Sequence, residues 1–306
     1  MKLLIYLLST FCLTQTFSQK KQVCFSLDDL PLVTYGLNDT VYQKGLMDRL
    51  ILCLNKNKIP AIGFVNEVKL FNDNMVVPFQ VGLLNQWVNS GLELGNHTYS
   101  HPDYNTLSFK EFTKDVLKGE ILTRQVLQLK GKSLKYFRHP FLHIGNSKVK
   151  SDSLNIFLYD HGYAVAPVTI DNEDYIFALA YKRAADNNDS TLRKKIGSDY
   201  IDYTEKKLKQ YEKQTDLLFG RQVKHVLLLH ANLLNSDYMD SLAKLFRKNN
   251  YEFVTMEKAL KDKAYKTDIT VYGNWGISWI ERWALSQGKK GDFFKGEPII
   301  PDYIRK

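Results

Sequence analysis

Gln22-Val23-Cys24-Phe25-Ser26-Leu27-Asp28-Asp29-Leu30-Pro31 sets an apolar run against two adjacent carboxylates. Residues 22–27 read as a strand, and no Gly-x-Gly-x-x-Gly follows it, which counts against a dinucleotide-binding turn. The same kind of run recurs along the chain. Further strands are expected at 61–65, 92–95, 135–137, 163–170 (interrupted at Pro167), 225–229 and 252–254. Amphipathic stretches separate them, giving helices at 43–57, 79–89, 108–129, 151–161, 200–218 and 237–248. Leu46, Leu50 and Leu54 share one face of the first of these. Strands alternating with helices build parallel βα units, and about seven units fit an incomplete, distorted (β/α) barrel. The stretch 176–219 is long for one connection and reads as a helical insertion over one face.

With 306 residues, the chain can bury a full core, and hydrophobic and charged contents of 44% and 25% exclude global disorder. The net charge of +9 comes from scattered lysines without a nucleic-acid-binding motif, so it reads as a solvated basic surface, with no nucleic-acid partner expected. Met1-Lys2, the apolar run 3–13 and the small polar 14–18 have the layout of a secretory signal ending near Ser18. That run is too short for a permanent membrane span, so the protein is expected to be exported to the periplasm, cell envelope or medium. A buried N-terminal strand is the competing reading. Domains are therefore expected at 1–18 (signal), 19–265 (catalytic) and 266–306 (a helical tail packing on the barrel). After cleavage only Cys24 and Cys53 remain, as buried thiols or as a pair. A cysteine zinc cluster cannot be built from two, so any metal must be held by His, Asp or Glu.

Polar groups fall at the strand ends. Asp28-Asp29 closes the first strand, and His97-x-x-x-His101 follows the third. Arg138 ends the fourth, Asp171 and Asp174 follow the fifth, and His230 ends the sixth. In a parallel barrel all these positions open on one face. Adjacent carboxylates repel and call for a cation or a proton. Taken alone, the Asp pair is equally a turn before Pro31. Two imidazoles four residues apart, with an aspartate, make a three-ligand metal site with an open position, although a surface or capping pair is the bland alternative.

Together these pieces resemble the NodB-type polysaccharide deacetylases. The matching segments are Ser26-Leu27-Asp28-Asp29-Leu30-Pro31, His97-Thr98-Tyr99-Ser100-His101, Arg138-His139-Pro140-Phe141, Asp171-Asn172-Glu173-Asp174-Tyr175 and Leu227-Leu228-Leu229-His230. The resemblance spans about residues 23 to 256 and implies a metal-dependent hydrolase of N-acetyl groups on an amino-sugar polymer. It makes Asp29, His97 and His101 the metal ligands, Asp28 the general base and His230 the general acid. Arg138 then orients Asp28, and Asp174 supports His230. The same resemblance places Tyr99 (through its backbone N–H), Pro140, Tyr175 and Leu228 against the substrate. The implied cofactor is one divalent ion, zinc by default, with cobalt or nickel able to use the same ligands.

The departures are Leu30 where the family has Gly, Phe141 in place of Tyr, and Tyr175 in place of Trp; they bear on substrate more than on activity. An O-acetyl esterase acting on xylan and a catalytically silent carbohydrate-binding protein are the neighbouring readings. A two-carboxylate glycosidase is a further one, though it has no need of the histidines. His161 and His225 read as structural, while His139 and His143 stay open. Glu173 competes as a site carboxylate. Trp275, Trp279 and Trp283 recur at helical spacing and read as one face packed on the barrel rather than a sugar-stacking surface.

Overall fold

A computed structural model describes residues 20–37 and 39–305, so the expected signal segment lies outside the described residues. Strand β1 (Lys21–Leu30) is buried without interruption from Val23 to Asp28. Such a run suits a strand covered on both faces, and β1 is an interior strand of the sheet, between β2 and β9. It is followed by α1 (Thr40–Lys56), β2 (Ile62–Val65), the hairpin β3 (Phe71–Asn72) and β4 (Met75–Val76), α2 (Pro78–Asn89) and β5 (Glu93–Asn96). Next come α3 (Phe109–Lys118), α4 (Ile121–Gln128), β6 (Tyr136–Phe137), α5 (Lys148–Asp160), β7 (Ala164–Val165) and β8 (Ile170–Asp171). The chain continues through α6 (Asp174–Asp186), α7 (Ser190–Phe219), β9 (His225–His230), α8 (Leu233–Lys248), β10 (Tyr251–Phe253) and α9 (Met256–Leu260). Helices α10 (Trp279–Ser286) and α11 (Asp302–Arg305) close it.

Seven strands lie in the order β7-β6-β5-β2-β1-β9-β8, and β10 pairs with the start of β1. Every pairing in this sheet is parallel. The sheet curls into the expected incomplete barrel, with helices on the outside. Its two end strands, β7 and β8, are consecutive in the chain, and among the described residues no ladder joins them.

Three expectations change. The single helix over 108–129 is two helices broken at Gly119-Glu120, where the backbone packs so closely on that of Thr98 and Tyr99 that a Cβ on Gly119 would sit 2.3 Å from it. The strand expected over 163–170, interrupted at Pro167, is two short strands at opposite sheet ends, with 166–169 crossing the seam. The stretch 176–219 is less an insertion than part of the wall, since Phe177, Ala178, Tyr200 and Tyr203 of α6 and α7 join the main core. Cys24 and Cys53 are free thiols. Among the described residues no helix is long and apolar enough to cross a membrane.

Candidate active site

The end of β1 carries a bulge. Its register against β2 shifts between Leu27 and Leu30, and Asp29 takes a left-handed φ of 65°. A bulge turns successive side chains out of strict alternation, and here both Asp28 and Asp29 line one cleft. Leu30 keeps its place in the strand; its side chain fills the space left by Gly63, where a Cβ would lie 2.3 Å from Leu30 Cδ2.

Asp28 stands opposite His230 in the β1–β9 ladder. Its Oδ2 accepts from Arg138 Nη1 at 3.4 Å, while Arg138 Nη2 donates to Ser26 Oγ at 2.8 Å. The guanidinium is itself fully buried over the Phe64 ring. Burial pushes the Asp28 carboxyl up to about 6, with Arg138 pulling the other way.

Asp29 Oδ1 lies 3.8 Å from both His97 Nε2 and His101 Nε2, and the three ligand atoms fall within 4.8 Å of one another. The His97 Nδ1 is 2.8 Å from the Arg138 carbonyl, which fixes the ring and leaves Nε2 for the cleft. The loop between the histidines is held by side chains. Asn96 Oδ1 accepts from Thr98 N, Thr98 Oγ1 accepts from His101 N, and Asp115 Oδ1 accepts from the N–H groups of both Tyr99 and Ser100 at 2.9 Å.

These groups fit a divalent cation. Asp29 Oδ1 is buried without a hydrogen-bond partner, a costly state that a cation relieves. Burial favours a neutral Asp29, but Lys69, His230, His97 and His101 outweigh it and hold the carboxyl below its usual range. Burial also lowers His97 and His101, keeping both rings neutral with lone pairs to offer.

On the far wall, Asp174 begins α6 and is wholly buried. Its Oδ1 is 2.7 Å from His230 Nδ1, and its Oδ2 accepts from His230 N, Asn232 Nδ2 and Asn235 Nδ2. Burial lowers the His230 pKa, but Asp174 overrides it and raises the imidazole to about 10.

The cleft has a volume of about 560 Å³. Tyr175 and Leu228 stand on its wall with Asp28, Asp29, His97, His101 and His230. Tyr99 does not: its backbone N–H is already given to Asp115, and its ring packs against Phe71 and Lys118, so the expected substrate contact is corrected. Pro140 is buried in the turn after Arg138 rather than on the wall. Glu173 turns away from the cleft toward Tyr203 and Lys207.

His161 and His225 take structural roles, one capping α5 through the Phe157 carbonyl and the other buried beside Thr169. His139 and His143 both line the cleft, as do Val33, Tyr35, Leu179 and Gly276, which sequence reasoning passed over. Val33 and Tyr35 follow the first strand, where a barrel's loops face the site, so that signal was present. Gly276 has no such mark.

Residues 17–155 match the family model for polysaccharide deacetylases, a stretch holding Asp28, Asp29, His97, His101 and Arg138. Over this stretch, somewhat less than half of its length, the chain is similar to the polysaccharide deacetylase family. No curated protein sequence gives a significant match. Among solved structures, the polysaccharide deacetylase fold is shared with a chitin deacetylase from the fungal pathogen Colletotrichum lindemuthianum. That pair has 20% identity and a TM-score of 0.52, covering 80% of this chain and 89% of the other. A peptidoglycan N-acetylglucosamine deacetylase is similar at 16% identity and a TM-score of 0.51, covering 79% of this chain and 88% of the other. A carbohydrate esterase family 4 pseudoenzyme from Bacillus anthracis gives 14% identity and a TM-score of 0.51, covering 79% of this chain and 66% of the other. At such identities these likenesses establish the fold.

Proposed function

We propose that this chain is a polysaccharide deacetylase, an active, metal-dependent hydrolase that removes N-acetyl groups from an amino-sugar polymer. The observation that carries the reading is the convergence in one cleft of a complete ligand set, Asp29, His97 and His101, with Asp28 and His230 beside it. A chain kept only for binding sugar has no need of all five, which argues against a silent role despite the pseudoenzyme among its structural relatives.

A divalent ion held by Asp29, His97 and His101, zinc by default, would polarise the acetyl carbonyl and acidify water bound beside it. Asp28, raised to about 6 and steered by Arg138, is placed to take that water's proton. His230 is charged at neutral pH through Asp174 and is placed to give a proton to the departing amine. A bound ion's positive charge would lower both groups toward acid and bring His230 closer to the range of an effective donor. Leu228 and Tyr175 would flank the acetyl group, Tyr175 half-exposed with its ring 6.1 Å from that of His230.

The catalytic unit is taken as 19–265, with the 266–306 tail adding Gly276 to the cleft wall, and export rests on the leader pattern of 1–18; sequencing the N-terminus of the protein recovered from its host tests the latter. Substrate is tested by acetate release from N-acetylglucosamine oligomers and from acetylated xylan, with the metal supplied and after chelation. Chelation-sensitive release from the oligomers is expected. Release from xylan alone would move the assignment to an O-acetyl esterase.

A further inference from the structure

The C-terminal segment, outside the stretch that matches the family, forms part of the cleft. Gly276 lines it, and a Cβ there would lie 2.2 Å from the Phe141 carbonyl oxygen, so only glycine lets the segment close on that turn. Arg282 clamps the contact, donating from Nη2 to the carbonyls of Leu142 at 2.8 Å and Trp275 at 2.9 Å. Asn146 Nδ2 donates to Asn274 Oδ1 at 3.1 Å and ties the segment again.

Within it the three tryptophans divide. Trp279 and Trp283 are buried, whereas Trp275 is 42% exposed. The Trp275 ring lies against Gly273, where a Cβ would meet its Cζ2 at 2.5 Å. One ring face therefore rests on backbone while the rest stays open, next to a residue of the cleft wall.

His143 meets this segment from the other side. Its Nδ1 is 2.6 Å from Asp103 Oδ1, and Asp103 is itself fixed by accepting from Asn105 N at 2.7 Å. The His143 Nε2 would lie 3.5 Å from a Cβ on Gly276, so this nitrogen points to the Gly276 edge of the cleft. Phe141 stands between His143 and the ligand His101, with ring centroids 5.7 Å and 4.4 Å away respectively. His143 is thus one aromatic ring removed from the ligand set, beyond the reacting acetyl group but beside whatever adjoins it.

We propose that His143, oriented by Asp103, and the open face of Trp275 form a sugar-binding subsite that holds a neighbouring pyranose of the polymer. A ring that gives its Nδ1 proton to Asp103 presents Nε2 as an acceptor for a sugar hydroxyl. A flat indole face suits the apolar C–H face of a pyranose, and a sugar asks for this pairing of hydroxyl acceptor and apolar platform. The subsite rests on the amino-sugar reading given above. His143 and Trp275 are positioning residues, since neither touches the reacting atoms.

Two substitutions separate this role from a simple tether. His143→Asn keeps a polar atom where Nδ1 bonds Asp103 and removes the cleft-facing nitrogen; His143→Gln does the reverse. With Trp275→Ala they are compared by calorimetric binding of the N-acetylglucosamine tetramer to chelated protein, and by the ratio of kcat/KM for tetramer to kcat/KM for a small acetyl ester. Trp275→Ala and His143→Asn are expected to weaken tetramer binding roughly 3- to 10-fold and to lower the ratio through KM, while His143→Gln stays near wild type. The reverse order for the two His143 variants, or unchanged tetramer binding in Trp275→Ala, overturns the subsite. Failure of the wild type to release acetate would sink the deacetylase reading alone, because tetramer binding still decides the subsite. A wild type that does not bind the tetramer overturns it.

Discussion

Asp28 and His225 lie on the neighbouring strands β1 and β9, both out of solvent, and burial moves them in opposite senses. The Asp28 carboxyl rises to about 6, which keeps a base available near neutrality. Asp28→Asn should lower acetate release by roughly two to four orders of magnitude while bound metal, assayed by elemental analysis, stays at the wild-type ratio. Loss of metal along with activity would instead make Asp28 a ligand. Burial drives the His225 imidazole down to about 4, so folding favours its neutral form. That contribution is fully present above the ordinary value near 6.5 and is lost as pH falls toward 4, at up to about 1.4 kcal/mol per pH unit. Urea unfolding at pH 7 and pH 4.5 should show a smaller acid loss in His225→Gln than in the wild type. An equal loss would mean that other groups set the acid limit. Strand ends made Asp28, Arg138 and His230 legible in the sequence, because their chemistry is out of place after apolar runs. Tyr99 was misread because its N–H is taken by Asp115, a partner 16 residues onward that only the folded loop brings near.

At the scale of elements, the ligand loop 97–101 depends on the break between α3 and α4. Asp115 near the end of α3 receives the N–H groups of Tyr99 and Ser100 and the Ser100 hydroxyl, and Gly119 lets the helix end lie against the Thr98–Tyr99 backbone. Asp115→Ala should therefore weaken metal binding about tenfold, as loss of an outer-shell support commonly does, in competition with a chelating dye. Unaltered affinity would show that the loop holds itself. Beside it, Leu30 and Gly63 on β1 and β2 share one volume. Gly63→Ala should cost about 1–3 kcal/mol in urea denaturation, and adding Leu30→Ala should recover part of that loss. Non-recovery would place the strain elsewhere. Apolar periodicity gave most elements to within a few residues. It could not show the break at Gly119, since one glycine in a helical pattern is locally tolerable and its reason is tertiary.

For the whole molecule, the curled sheet leaves a seam where β7 and β8 fail to meet, and the C-terminal segment enters it. Trp279 N donates to the Val168 carbonyl at 2.7 Å, and Trp283 is buried against Phe219 and Tyr265. Trp283→Ala should cost about 3–5 kcal/mol of stability, read from the urea midpoint. A change below about 1 kcal/mol would make the segment an accessory. The barrel was legible from alternating runs, and Pro167 marked a break in the run 163–170, but that its two halves lie at opposite ends of the sheet is set only by the closed fold. In the proposed centre, Asp29, His97 and His101 would hold a metal between Asp28 and His230. It is tested most directly by acetate release from N-acetylglucosamine oligomers, followed through chelation and zinc restoration. Release that disappears with the metal, returns with zinc, and is absent from metal-loaded Asp28→Asn is the expected result. Release that survives chelation, or that Asp28→Asn retains, would contradict it.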